Sequence, residues 1–232
     1  MQQRSCTHTE RFPKLPMSGS PTQTQLLNQW IKDCNKHHKC YRRADNVRPP
    51  TRLIDVGNSQ SRTLKLDRCS DKRASHKYVA LSHPWGDTDL HPPFCTTSNN
   101  INKFEISINF DDLPQNFKDA VEVTRNLEIQ YLWIDSICII QGKGGDFDTE
   151  CKLMEDYYSG AYCTIAASCS SGSSDGFLKP RRPESGPKAR LCYPLNNGVD
   201  LSPESRFYVC SAIDDFARDV EKGFLSTRGW IY

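Results

Sequence analysis

The sequence predicts an α/β fold, with a doubly wound, mainly parallel sheet, an N-terminal helix ahead of it and a β-hairpin insertion behind. Two observations carry this reading. Between residues 77 and 168 short apolar strands alternate with amphipathic helical stretches, the rhythm of parallel strands joined by helical crossovers. In addition, "YLWIDSICII" (Tyr131–Ile140) is almost continuously apolar, as a strand is when helices cover both faces of its sheet. That same stretch holds an ionisable Asp135 beside Ser136, and a buried strand has no need of a carboxylate. Asp135 therefore marks the point where the strand leaves the core.

Taken in order, residues 1–21 are polar and proline-containing and read as a flexible tail. Residues 22–76 form a lead-in. "TQTQLLNQWIKDCNKHHKC" sets Leu26, Leu27, Trp30, Ile31 and Cys34 at helical spacing behind a Thr cap, "RPPTRLIDV" breaks that helix into an extended segment, and "SRTLKL" alternates as a strand. The main domain runs over 77–232. "KYVALS" is a short buried strand, and "SHPWGDTDLHPPF" is a loop punctuated by prolines and Gly86. "FDDLPQNFKDAVEVTRNLE" is a helix with Asp112 as cap and Pro114 in its first turn. Its inner face is Phe117, Ala120, Val121, Thr124 and Leu127. The strand "YLWIDSICII", a glycine-rich turn, the helix "FDTECKLMEDYYSGA" and the strand "CTIAAS" follow. A Ser/Gly/Pro/Arg-rich segment then reads as a long surface loop. "RLCYPLNNGVDLSPESRFYVC" reads as a hairpin with Asn197-Gly198 in its turn. The apolar run at Trp230 stops without a closing turn, as expected of a truncated C-terminus.

Composition bounds the function. The 232 residues carry a net charge of +2 with both signs interspersed, which argues against a nucleic-acid binder needing a basic face. No stretch approaches a membrane span and the N-terminus has no signal-peptide core. Eleven scattered cysteines without a secretory signal read as reduced thiols, several of them core fillers, in a cytoplasmic protein.

In open sheets of this class, sites form beyond the carboxyl ends of strands. Ser82–Gly86 and Asp135–Cys138 both sit at or past such ends. With about 100° between successive helical residues, Phe147, Cys151, Met154 and Tyr158 share one arc and Glu150 falls inside it. A carboxylate on an apolar face needs a partner or a cleft. Either Glu150 pairs structurally, with Arg125 or Arg228, or it faces the cleft at the Asp135 strand end.

"YVALSHPWG", "LPQNFKDAVEVTRNLEIQYLWIDSICIIQ", "DFDTECKLMEDYYSGAYCTIAAS" and "LSTRGW" occur in the order of the fungal heterokaryon-incompatibility (HET) domain, which the chain resembles over roughly residues 52–232. The resemblance implies a cell-death role when genetically different fungal cells fuse. It also implies a flavodoxin-like fold similar to Toll/interleukin-1 receptor (TIR) domains, some of which cleave NAD. The residues matching the family pattern are Ser82, His83, Trp85, Gly86, Arg125, Trp133, Asp135, Ser136, Cys138, Glu150, Arg228, Gly229 and Trp230. By fold-level analogy, Glu150 corresponds to the helix glutamate of NAD-cleaving TIR domains, and Asp135, at the strand end it would face, is the second candidate catalytic carboxylate. Pro84 stands where the family often has Cys, and Phe147 where Trp is common.

The chemistry implied is cleavage of NAD at the nicotinamide–ribose bond, whose oxocarbenium-like transition state a carboxylate stabilises. NAD enters as substrate, and no cofactor or metal is expected. Trp85 would stack on a base, and Ser82 or Ser136 would bond phosphate or ribose. Competing readings are weaker in chemistry. A Cys138–His83 hydrolase lacks an orienting group and sets its thiol among isoleucines. Asp135 and Glu150 alone offer Mg²⁺ few ligands. "CNKHHKC" offers Cys34, His37, His38 and Cys40 as half a zinc site, and "GKGG" lacks P-loop spacing. The non-enzymatic alternative is a self-associating signalling module that recruits a death effector, with a recognition partner outside this chain.

Overall fold

The computed structural model describes residues 16–37, 47–69, 77–90 and 92–179, together with the backbone of 190–192 and 207–209. In chain order its elements begin with helix α1 (Pro21–His37), whose Leu27 and Ile31 are half-buried against the core while Trp30 stays exposed. Strand β1 (Arg52–Asp55) is buried almost throughout. Strand β2 (Thr63–Arg68) alternates exposed and buried positions, as a strand with one covered face must. Strand β3 (Tyr78–Ser82) is buried over its first four residues. The short strand β4 (Thr96–Thr97), helix α2 (Ile101–Ile106) and strand β5 (Ile108–Asn109) lead to helix α3 (Gln115–Asn126).

Helix α3 starts later than the sequence predicts. Asp112 closes a 3-10 turn, Phe110–Asp112, and Pro114 takes the N-cap position. Leu113, preceding a proline, is held out of helical geometry at φ −67°, ψ 143°, so no helix can run through it. The predicted inner face is buried as expected, and Asn116 and Asp119 are buried with it.

Strand β6 (Tyr131–Ile134) ends at Asp135 instead of running on to Ile140. A single helical turn, α4 (Asp135–Cys138), intervenes before the short strand β7 (Ile140–Gln141). The cause is local: the Asp135 carboxylate accepts the Ser136 N–H at 2.7 Å, and the Asp135 carbonyl accepts Ile139 N–H at 3.0 Å. The following helix is also interrupted. Helix α5 (Phe147–Glu150), a 3-10 turn (Cys151–Leu153) and helix α6 (Met154–Ser159) replace one continuous helix, before strand β8 (Cys163–Ala166). Strands β9 (Arg190–Cys192) and β10 (Phe207–Val209) pair antiparallel, at the two strands of the expected hairpin.

The main sheet has six strands in the order β5-β2-β1-β6-β3-β8. It is mixed, where the sequence predicts a mainly parallel sheet. Pairing is parallel only across β6–β3–β8, and antiparallel across β5–β2, β2–β1 and β1–β6. The physical reason lies in the connections. Long helical crossovers separate β3, β6 and β8, as parallel neighbours require, whereas β1 and β2 are joined by a short turn that permits only antiparallel pairing. The sheet thus joins strands from both sides of residue 77. Its core is built from Leu53, Val79, Leu81, Leu132, Ile134 and Phe117, all almost fully buried. Among the described residues no helix is long and apolar enough to cross a membrane.

Candidate functional site

Strands β3 and β6 are parallel neighbours, with Leu81 beside Ile134, so the segments after them emerge side by side. Trp85 Nε1 donates to Asp135 Oδ2 at 3.2 Å, and Asp135 Oδ1 takes the Ser136 N–H. His83 Nδ1 stands 3.9 Å from Asp135 Oδ1 and its ring meets Phe117 edge-on at 4.9 Å between centroids. The Asp135 side chain keeps 15% of its exposure, enough to face solvent on one side.

That side is a cleft of about 1200 Å³. Trp85, Asp135 and Gln141 line one wall. Phe147, Cys151, Lys152, Met154, Glu155, Tyr158 and Ser159 line the other, all from the broken helix. The cleft therefore has aromatic faces, one ammonium group and two carboxylates, Asp135 and Glu155.

Glu150 is placed differently from Asp135. It is buried, and its two oxygens accept hydroxyls from Thr51 (2.7 Å) and Tyr157 (2.9 Å). It does not line the cleft. Phe147, Cys151, Met154 and Tyr158, the arc that the sequence predicts, do line the cleft, while Glu150, at the edge of that arc, turns instead to Thr51 and Tyr157. Its partners are hydroxyls rather than Arg125. That arginine donates to the carbonyls of Val56 (2.6 Å) and Ser61 (2.9 Å), lies over Phe110, and has its pKa lowered by burial. Val56 pairs with Gln130 ahead of β6, so Arg125 stands at the end of the sheet opposite Asp135. Arg228, like Gly229 and Trp230, lies outside the described residues.

Cys138 is fully enclosed, and desolvation pushes its thiol up to about 12. A protonated thiol at neutral pH is no nucleophile, so the Cys138–His83 hydrolase has no support. Ser136 is buried, and its Oγ has no hydrogen-bond partner among the described residues. Ser82 ends β3 beside Ala166 and gives its carbonyl to Ala167 N–H at 2.9 Å. Of the Cys34, His37, His38 and Cys40 set, the last two lie outside the described residues. Among the described residues no group of three or more His, Cys, Asp or Glu is arranged for a metal.

Gly86 serves the site through its backbone. Its φ is +86°, and a Cβ there would lie 3.0 Å from the Gly172 Cα. Gly172 belongs to a loop held by α3: Asn116 donates to the Gly172 carbonyl, and Asp119 accepts Phe177 N–H (2.7 Å) and Leu178 N–H (2.9 Å). The same loop sends Ser173 to the Trp85 carbonyl. The sequence alone does not single out Asn116, Asp119, Thr51 and Tyr157, nor the ion pair of buried Arg52 with Asp146 beside the cleft. Asn116 and Asp119 were legible in principle, as polar residues flanking Phe117 and Ala120 on the inner face. The others meet only through tertiary structure.

The family model described as "Heterokaryon incompatibility protein (HET)" matches residues 78–232. "Heterokaryon incompatibility protein 6, OR allele" of Neurospora crassa is 30% identical over 95 residues, covering 38% of this chain. The match spans 14% of that relative's own length. No solved structure matches the chain.

Proposed function

The chain belongs to the heterokaryon incompatibility (HET) family, and from that premise we propose that it is the cell-death module of a cytoplasmic fungal incompatibility protein, acting by hydrolysis of NAD in the cleft at Asp135. The observation that carries the reading is the Asp135 carboxylate, oriented by Trp85 Nε1 and Ser136 N–H and open to a cleft of about 1200 Å³. Drug-sized ligands occupy pockets of roughly 300–1,000 Å³, so this cleft has room for a dinucleotide. The order β6–β3–β8, with the first strand central and the later two on either side, supports a doubly wound, TIR-like reading of the parallel half.

In this reading the aromatic rings of Trp85, Phe147 and Tyr158 offer stacking faces for adenine or nicotinamide, and Lys152 offers charge to the pyrophosphate. Glu155 is suited to the ribose hydroxyls. The bond between nicotinamide N1 and ribose C1′ breaks, its electron pair leaves with neutral nicotinamide, and positive charge develops on the ribose. Asp135 stabilises that charge. Water then bonds to C1′ and its proton passes through Asp135 to solvent. Glu150, behind the wall, acts by position and not by contact.

The test is nicotinamide release from NAD by the purified chain and its Asp135→Asn variant. One feature favours the alternative of a self-associating, non-enzymatic module: Trp30 on α1 is 59% exposed and Met17 just before it 74%. Folded protein that leaves NAD intact but associates through this face supports that alternative.

A further inference from the structure

The family match begins at residue 78, yet the cleft's walls are tied to two consecutive residues well upstream of it, Thr51 and Arg52. Arg52 is 4% exposed and opens β1, which lies inside the sheet between β2 and β6. Its guanidinium reaches two different segments. Nε donates to the Cys138 carbonyl at 2.7 Å, closing the helical turn that begins with Asp135, and Nη2 pairs with the Asp146 carboxylate. A buried guanidinium must be matched in this way to be tolerated, and its planar fork fixes both partners at once.

Asp146 in turn closes the loop between the two walls. Its free carboxylate oxygen accepts Ile140 N–H at 2.8 Å, and its own N–H returns to the Ile140 carbonyl at 3.1 Å. Gly145 is required beside it, since a Cβ there would fall 2.1 Å from that carbonyl oxygen. Gln141 and Phe147, at either end of this loop, both line the cleft. Thr51 works on the far wall. Its hydroxyl holds Glu150, which holds Tyr157, and the neighbours of these two, Cys151 and Tyr158, line the cleft.

We propose that Thr51 and Arg52 are positioning residues for the cleft, so that the functional unit begins at β1 and not where the family match begins. A donor mounted on an internal strand gives the rigid backing that a site on short helices and loops otherwise lacks. The inference rests on the cleft being the functional site, and its structural part can be read without turnover.

The experiment uses the full chain with Arg52→Lys, which keeps the charge and loses the fork, and Thr51→Val, which keeps the shape and loses the hydroxyl. Thr51→Ser, which keeps the donor, is the control. Peptide-resolved thiol labelling compares Cys151, in the cleft wall, with Cys163 on β8. Loosened walls speed Cys151 labelling by about tenfold relative to Cys163, through local opening alone. In Thr51→Val the KM for NAD rises while kcat at saturation holds within about twofold, whereas Arg52→Lys, which frees the turn that begins with Asp135, lowers kcat as well, and Thr51→Ser behaves as wild type. Equal acceleration at both cysteines, or none at either, overturns the positioning role. Should Arg52→Lys not fold, Thr51→Val against Thr51→Ser decides it. Wild-type protein that leaves NAD intact overturns the hydrolysis reading separately, and the labelling ratio still decides the role of Thr51 and Arg52.

Discussion

Trp85 and Asp135 stand 50 residues apart in sequence and are joined by a 3.2 Å hydrogen bond from the indole N–H to the carboxylate. Neighbouring parallel strands bring them together, and both then face the cleft. The indole has two separable parts: its N–H aims the carboxylate, and the ring lines the cleft. Trp85→Phe keeps the face and removes the N–H. NAD turnover is expected to fall about tenfold in kcat with KM changed by less than about threefold, because the misaimed group acts on the transition state. Steady-state kinetics check this. A rise in KM alone would assign Trp85 to stacking only.

The Cys138 thiol, pushed up to about 12 by burial from an ordinary 9.0, couples stability to alkaline pH. The folded chain holds this proton where the unfolded chain releases it. The stabilisation is therefore complete below pH 9 and is lost as pH rises from 9 towards 12. Cys138→Ser should lower stability at pH 7 by about 1–3 kcal/mol, the cost of a poorly bonded buried hydroxyl. It should also flatten the alkaline slope and leave NAD turnover of the folded protein intact. Denaturant titrations at a series of pH values measure both effects. Lost turnover in a folded Cys138→Ser protein would revive thiol chemistry.

Gly86→Ala confronts two obstacles together, a φ of +86° and the Gly172 backbone 3.0 Å from the new Cβ. Strain of about 1–3 kcal/mol is expected. The strain falls on the contact that fixes the Trp85 loop, so turnover per folded molecule should fall along with the melting temperature. An unchanged melting temperature would mean that the close approach of the two loops is not maintained in solution.

The central strand–helix–strand unit was legible because its signals are local. The apolar runs at Tyr78–Ser82 and Tyr131–Ile134, and the 3.6-residue period through Phe117, Ala120, Val121 and Thr124, need no tertiary context. The proximity of Asp135 to the Ser82–Gly86 loop followed from strand ends alone. What was not legible depends on partners distant in sequence. The direction of β1 and β2 is set by their short turn and by pairing of β1 with β6, and nothing in "RLIDV" specifies it. The arc of Phe147, Cys151, Met154 and Tyr158 was legible and lines the cleft, whereas Glu150, at the edge of that arc, is drawn to the Thr51 hydroxyl, 99 residues away, which no helical wheel can show.

In the proposed mechanism the working carboxylate is Asp135, and Glu150 is a buried support. The most direct measurement is nicotinamide release from NAD by wild type, Asp135→Asn and Glu150→Gln, each checked for folding by its melting curve. Asp135→Asn, which can accept only one of the two N–H groups that Trp85 and Ser136 offer it, is expected to fold with a melting temperature somewhat below wild type and to release no nicotinamide per folded molecule. Glu150→Gln, which replaces one of the two accepting oxygens with an NH2 group that can only donate, is expected to be destabilised by about 1–3 kcal/mol. It should still turn NAD over at saturation when folded. The opposite pattern, with turnover lost in a stable Glu150→Gln protein and kept in Asp135→Asn, would contradict the account.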